Sequence, residues 1–141
     1  MEQRVSVITL GVSDLARSRR FYADGLGWRP VFENEEIVFY QLNGLVLGTW
    51  LRERLLAESH LPASAGVGAC ALAHNVRTRE EVEPLLARAV AAGGTLLAPP
   101  IEPEHGGYTG YFADPDGHAW EVAWNPSWPI GPDGGVTAHF G

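Results

Sequence analysis

The chain carries one hydrophobic pattern twice. Residues 5–12 are mostly apolar and rich in β-branched side chains, which predicts a strand. Ser13 or Asp14 then caps a helix that runs to about residue 22, before Gly25. Three more strands are predicted, the last two joined by an Asn43-Gly44 hairpin signal, at residues 28–32, 36–42 and 45–51. Residues 5–51 therefore form a β-α-β-β-β unit, module one.

Module two, residues 67–124, repeats this order. Residues 67–76 predict a strand, and Thr78 and Glu81 have the spacing of a capping box at the start of a helix. Pro84 falls inside that helix, where it removes a backbone hydrogen bond. We therefore expect a kink, or a helix that properly begins near Pro84. The remaining strands are predicted at residues 95–97, 110–113 and 119–124.

The two modules are predicted to belong to a single domain, residues 1–141, with a linker at 52–65 and an irregular tail at 125–141. Trp128 would be exposed unless the tail packs over one end of the domain, and the same holds for Ile130 and Phe140. The tail is therefore expected to pack on the fold.

Composition favours a folded protein that binds no nucleic acid. Of the 141 residues 45% are hydrophobic and 19% charged, and the net charge is −7, whereas nucleic-acid binders show a basic face. No apolar run reaches the ~20 residues of a membrane span, and the amino terminus lacks a secretory core, so a cytoplasmic protein is expected. Cys70 is the one cysteine, and its small apolar neighbours predict a buried position.

The most informative run is residues 111–121. Asp114-Pro115-Asp116-Gly117 has the composition of a tight turn, and Glu121 follows on a new strand between small neighbours. This run resembles the last hairpin of the vicinal oxygen chelate superfamily, which includes glyoxalases, extradiol dioxygenases and bleomycin-resistance proteins. The resemblance extends over roughly residues 5–126 through further motifs: Val12 to Ser18 followed by Phe21-Tyr22, Gly25-Leu26-Gly27-Trp28, and Gly106-Gly107-Tyr108.

The resemblance implies an α+β fold in which two tandem β-α-β-β-β modules form a curved mixed sheet around a cavity. It also implies metal ligands on the first and last strands of each module. Here the corresponding positions are Val7, Gly48, Ala71 and Glu121, so three of the four cannot bind a metal. A catalytic zinc site needs about three protein ligands. We therefore predict a protein without a metal or other cofactor.

His105 is the best substitute ligand, because its loop precedes the final hairpin, although a surface loop position is the favoured interpretation. His74 and His118 alternate away from Glu121. The chain contains no lysine, which excludes Schiff-base catalysis.

Alternation along the strands predicts an apolar pocket with Trp50 as its aromatic wall and Glu121 as its carboxylate. Close packing of the two sheets is the alternative. Glu121 would act as a general acid or base, pair with a cationic ligand, or be held by Tyr108 or Tyr111 in a structural role. The predicted ligand-binding set is thus Trp50, His105, Tyr108, Tyr111 and Glu121, with Glu121 also the candidate catalytic residue.

Three functions remain open. The first is a metal-independent protein that binds a partly apolar, cationic small molecule. The second is a metal-dependent lyase, isomerase or dioxygenase of the glyoxalase type, and the third is an enzyme that uses Glu121 as acid or base. Relatives are often homodimers, so a homodimer is the expectation for the assembly.

Overall fold

The computed structural model describes the whole chain except Glu2, Arg4, Ala65, Gly68, Ala69, His105 and residues 139–141. Two compact units are formed, Met1–Gly66 and Val67–Gly141. Each unit contains one β-α-β-β-β module built on a four-stranded mixed sheet, which confirms the predicted α+β class and the tandem repeat.

The sheet of module one has the strand order β1-β4-β3-β2. β1 pairs with β4 in parallel, whereas the β2–β3 and β3–β4 pairs are antiparallel. Gly44 adopts φ +79° in the predicted hairpin turn, where the Leu42 amide donates to the Leu45 carbonyl at 2.9 Å. The strands are β1 (Val7–Val12), β2 (Pro30–Glu33), β3 (Ile37–Gln41) and β4 (Val46–Leu51).

The first helix begins where the sequence predicts and ends later. Asp14 is the N-cap of α1 (Leu15–Arg19), and its carboxylate accepts a hydrogen bond from the Arg17 amide at 2.9 Å. The helix then widens into a π-helical turn, Arg20–Gly25, instead of ending near residue 22. Phe21 and Tyr22 are both fully buried in this turn, with their rings edge to face at 4.9 Å.

Module one packs its core between α1, the π-helical turn and one face of the sheet. Tyr40 is 1% exposed and lies 5.9 Å from the Tyr22 ring and 5.8 Å from the Trp28 ring. Its buried hydroxyl has no hydrogen-bond partner among the described residues. Burial raises the pKa of Tyr40 to about 12, because the phenolate would lose its hydration.

The segment predicted as a linker contains a helix, α2 (Arg52–Ser59). It begins directly after β4, and none of its residues is fully buried. Its sequence lacks a side-chain N-cap and has little amphipathic pattern, which explains why periodicity did not reveal it.

The sheet of module two has the order β5-β8-β7-β6, again with one parallel pair, β5 with β8. The predicted capping box is confirmed, because the Glu81 carboxylate accepts from the Thr78 amide at 2.9 Å. A 3-10 turn, Arg79–Glu81, leads into α3 (Val82–Ala91), so Pro84 sits in the first turn of the helix proper, where its missing N–H costs nothing. The strands are β5 (Ala71–Asn75), β6 (Thr95–Ile101), β7 (Tyr108–Ala113) and β8 (Ala119–Trp124).

The turn between β7 and β8 follows local chemistry. The buried Asp114 carboxylate accepts hydrogen bonds from the backbone amides of Asp116 and His118, both at 2.9 Å. Gly117 takes φ +91°, which confirms the turn predicted from the sequence. This turn sets the register in which β8 returns along β7.

The bulky side of β8 packs toward α3. Trp120 is 6% exposed and Val122 is fully buried, and the Trp120 ring stacks on Phe112 at 6.2 Å. Gly110 on β7 allows this close approach, since a Cβ there would lie 2.7 Å from Leu86 Cδ1 on α3 and 3.1 Å from the Ala98 carbonyl oxygen. The opposite side of the sheet is therefore left to Glu121 and its small neighbours.

The prediction for Cys70 is wrong, because its side chain is exposed. β5 begins only at Ala71, one residue after Cys70, so the cysteine is not part of the strand that the apolar run suggested. No helix within the described ranges has the length and apolar character needed to cross a membrane.

Replacing Tyr40 by Phe is expected to raise the free energy of unfolding by about 1 kcal/mol at pH 7, since it removes a buried hydroxyl without a described partner. The folded-state pKa of about 12 lies above the unfolded value of about 10, so the stability of the wild type falls as pH rises from about 10 toward 12, because the buried phenol resists ionisation. The advantage of Y40F should grow by about 1 kcal/mol between pH 10 and 11, because the unfolded phenol is already half ionised at pH 10. Urea unfolding of both proteins at pH 7, 10 and 11 measures this, and a Y40F protein that is less stable at pH 7 would show that the hydroxyl is satisfied.

Candidate functional site

Glu121 lies in the middle of β8, and strand pairing decides which side chains surround it. On one side Glu121 is the antiparallel partner of Tyr111 in β7, and on the other it is the parallel partner of Ala73 in β5. Directly paired residues point to the same face of a sheet. Glu121, Tyr111 and Ala73 therefore share the face opposite α3, and Glu121 is half-buried there.

Two hydroxyl groups from β7 meet the Glu121 carboxylate. Thr109 Oγ1 donates a hydrogen bond to Glu121 Oε1 at 2.7 Å. Burial raises the pKa of the Tyr111 phenol, and the negative charge of Glu121 and a hydrogen bond to it raise that pKa further. The phenol therefore stays protonated at neutral pH and remains a hydrogen-bond donor beside the carboxylate.

Tyr108, the other tyrosine predicted at the site, directs its hydroxyl elsewhere. It donates to Glu83 Oε1 on α3 at 2.6 Å, and the Arg79 guanidinium lies 3.9 Å from the centre of its ring. Arg79 in turn donates to Glu102 Oε1 at 2.6 Å. This network fixes the start of β7 and leaves Thr109 and Tyr111, not Tyr108, to hold Glu121.

A cavity of about 490 Å³ lies beside Glu121, lined by module two and by the start of the tail. Small side chains at Ala73 and Ala123 leave this space, and Glu121 is the one charged residue among the described residues that line it. The remaining described lining is polar or aromatic, with Pro103 and Gly106 from the loop before β7: Asn75, Tyr108, Thr109, Trp124, Asn125, Ser127 and Trp128. The volume falls within the range of small-molecule sites, roughly 300–1,000 Å³.

One wall of the cavity comes from the chain just after β8. The Asn125 carbonyl accepts a hydrogen bond from the Trp128 amide at 3.1 Å, and the Asn125 side chain accepts one from the Ser127 amide at 3.0 Å. Asn at the first position and Pro126 at the second suit this turn. The tail thus packs on module two, as expected, although Phe140 lies outside the described residues.

The structure brings together part of the predicted site. Glu121 and Tyr108 line the cavity and Tyr111 adjoins Glu121, whereas His105 lies outside the described residues. Trp50 is half-buried on β4 of module one, beside Gly11 and Ile37, and its part in ligand binding stays a prediction.

Sequence reasoning missed Thr109 and Trp128. The signal for Thr109 was its position two residues before Tyr111, on the same strand face. Trp128 carried no periodic signal, because it belongs to a turn outside any strand.

The described residues do not fit a metal centre of the kind that the family resemblance implies. In the observed pairing Thr9 lies beside Gly48, and Ala73 beside Glu121, so one carboxylate stands among side chains that ligate poorly or not at all. Gly48 is also covered by the Phe39 ring, since a Cβ there would lie 2.9 Å from Phe39 Cε1. No cluster of three His, Cys, Asp or Glu side chains occurs in the part of the chain that the structure describes.

His74 does not complete such a centre. It is the parallel partner of Val122, so it lies on the α3 side of the sheet, as the alternation predicts. Its surroundings lower the pKa of the imidazole by desolvation, and the nearby Glu81 carboxylate partly opposes this.

Known proteins share both the sequence pattern and the fold. The model of the Glyoxalase/Bleomycin resistance protein/Dioxygenase superfamily matches residues 4–122. A glyoxalase-related enzyme from Fulvimarina pelagi is 58% identical, with a TM-score of 0.92 over 97% of this chain and 99% of its own. A protein from Agrobacterium tumefaciens solved by NMR is 31% identical, with a TM-score of 0.73 over 86% of this chain and 97% of its own. A glyoxalase/bleomycin resistance protein from Albidiferax ferrireducens T118 is 27% identical, with a TM-score of 0.66 over 86% and 98%.

Calorimetric titration of chelator-stripped protein with Zn²⁺, Ni²⁺, Mn²⁺ and Fe²⁺ is expected to show no binding tighter than about millimolar, because one carboxylate does not hold a divalent ion. Glu121→Gln serves as the control and should behave like the wild type. Micromolar binding of one ion per chain would contradict this and would make His105 and Glu121 the first residues to replace.

Glu121→Gln is expected to lower the pKa of Tyr111, since the neutral amide no longer opposes formation of the phenolate. The pKa should stay above the ordinary value of about 10, because burial, the largest cause of the shift, remains. Spectrophotometric titration of tyrosinate in both proteins, each paired with its Tyr111→Phe derivative, isolates this one phenol. An unchanged Tyr111 titration would mean that the two groups are not coupled in solution.

Proposed function

The chain belongs to the Glyoxalase/Bleomycin resistance protein/Dioxygenase superfamily, and we propose that it is a metal-independent binding protein for a small, partly apolar cation. The observation that carries this proposal is the position of Glu121. It is the one charged residue in the described lining of a cavity of about 490 Å³, and two hydroxyl groups hold its carboxylate in place.

The charge balance of the site favours a cationic ligand. No basic residue occurs among the described residues that line the cavity, so none of them offers a cationic partner to the Glu121 carboxylate. A carboxylate offers about four acceptor positions, and Thr109 and Tyr111 use two. The remaining positions are available to an ammonium group, and the net charge of −7 adds a long-range attraction for cations.

The rest of the lining favours a ligand with an apolar part. Ala73 and Ala123 present small apolar side chains beside Glu121. Two aromatic residues, Trp124 and Trp128, also line the cavity. Aromatic faces attract cations as well as apolar groups. An organic ammonium ion would therefore match both the charged and the apolar part of this cavity.

Glu121→Gln is expected to weaken the binding of benzylammonium by about 10- to 100-fold, since hydrogen bonds to a charged group contribute roughly 1.5–3 kcal/mol. Isothermal titration calorimetry with the wild type and the variant measures the loss. Glu80→Gln is the matched control, because it makes the same charge change at an exposed residue of the same module. Equal affinities in wild type and E121Q would overturn the proposal.

A second function is favoured by the pairing of a carboxylate with a protonated phenol. Glu121 would remove a proton from carbon next to a carbonyl group, and Tyr111 would turn its one O–H from Glu121 to donate a hydrogen bond to the oxygen that gains negative charge. Similarity to a glyoxalase-related enzyme supports this candidate. Here E121Q would keep its affinity for a carbonyl substrate and lose the exchange of that proton with deuterated solvent, which NMR detects with a panel of 2-hydroxyketones.

The expected homodimer and the cytoplasmic location remain predictions. Sedimentation of the purified protein decides the first, and neither affects the arrangement within module two that carries the proposed function.

A further inference from the structure

We infer that the C-terminal hairpin, residues 125–137, is the part of the binding site that selects the ligand, and that Arg77 positions it. In this inference Trp128 is the wall on which a planar group of the ligand packs, so the preferred ligand is an arylalkylamine. The inference rests on the proposed function, because it adds the specificity element to the cavity around Glu121.

The C-terminal hairpin has a defined structure of its own. After the turn at Asn125, Ile130 and Val136 form an antiparallel bridge, and the Gly131 amide donates to the Gly135 carbonyl at 2.8 Å. The Asp133 carboxylate accepts a hydrogen bond from the Gly135 amide at 3.0 Å and closes the tip. These bonds fold the segment back on itself, and the turn that precedes it carries Trp128, which lines the cavity.

Arg77 ties this hairpin to the helix side of module two. Its guanidinium Nη2 donates to the Gly131 carbonyl at 2.8 Å, across 54 residues of sequence. The Arg77 backbone is itself fixed, because its amide donates to Glu81 Oε2 at 2.8 Å, and the same oxygen accepts from the Thr78 amide. The capping box before α3 therefore fixes the backbone of Arg77, and the Arg77 side chain in turn holds the C-terminal hairpin.

The chemistry of two lining residues of the cavity defines the ligand class. Glu121 supplies a negative charge from the sheet, and Trp128 supplies an aromatic surface from the hairpin. A ligand that satisfies both carries an ammonium group and a planar apolar group joined by a short linker. A purely aliphatic amine satisfies only the first and loses the contact with the indole.

Two ammonium probes of the same charge separate the roles, benzylammonium and butylammonium, measured by isothermal titration calorimetry. Trp128→Ala is expected to lower the affinity for benzylammonium about tenfold. Its affinity for butylammonium should stay within about twofold of the wild-type value. Trp128→Phe should retain most of the preference, because it keeps an aromatic surface.

Arg77→Ala should reproduce the selective loss of benzylammonium binding, since it removes the guanidinium and leaves the backbone bond to Glu81 intact. Arg77→Lys should restore much of it, because one N–H donor is enough for one carbonyl. Arg54→Ala is the control, as it removes another exposed arginine, paired with Glu36 at 2.7 Å in module one.

The outcomes distinguish this inference from the proposed function. If E121Q weakens the binding of neither probe, the proposed function is wrong. If E121Q weakens both probes while W128A and W128F leave the benzylammonium preference unchanged, the proposed function stands and the role of the hairpin is wrong. If R77A and R77K lower the affinities for both probes equally, Arg77 supports the fold and does not position Trp128.

Discussion

Pairing of β8 between β7 and β5 is the constraint on which the site depends. The turn at Asp114–Gly117 returns the chain so that Glu121 faces Tyr111, and the parallel pairing with β5 brings Ala73 to the other side. A slip of one residue would turn Glu121 toward α3 and Val122 toward the cavity. Everything else at the site, from the hydroxyl contacts to the space beside the carboxylate, presupposes this register.

Burial on the helix side enforces the register. Trp120 and Val122 are almost fully buried, and burial of such side chains contributes roughly 1.5–3 kcal/mol each. Exposing them while burying Glu121 against α3 would reverse that gain and add the cost of an unpaired charge. Gly110 permits the close approach of α3, because even a methyl group there would collide with Leu86. The same packing that stabilises module two thus holds Glu121 on the open face.

The chain keeps the superfamily fold while changing the chemistry that the fold resemblance implies. Val7, Gly48 and Ala71 occupy three of the four positions where the resemblance implies metal ligands, and Phe39 covers Gly48. The residues paired with Gly48 and Glu121, Thr9 and Ala73, do not replace those ligands. One carboxylate without metal partners is suited to a cation or a proton. A fold of this kind does not determine a reaction, so the side chains around Glu121 determine the function.

The sequence by itself determined the features that depend on neighbouring residues. The capping box of α3, the Asn43-Gly44 hairpin, the Asp114 turn and the bounds of β8 were all predicted, because each follows from local backbone preferences or period-two alternation. The helix cap was narrowed to Ser13 or Asp14, of which the structure selects Asp14, and the π-helical turn beyond it was not predicted. That turn buries Phe21 and Tyr22 together, which a regular helical period does not anticipate.

Only the tertiary structure decided which distant groups meet. Thr109 reaches Glu121 because β7 and β8 pair in one register, and Arg77 reaches Gly131 across 54 residues because the tail folds back. Trp128 belongs to no periodic element, so no pattern pointed to it, and Cys70 lies outside the strand that its neighbours suggested. Local propensity fixes how short segments fold, whereas contacts between segments depend on packing free energies that are summed over the whole module.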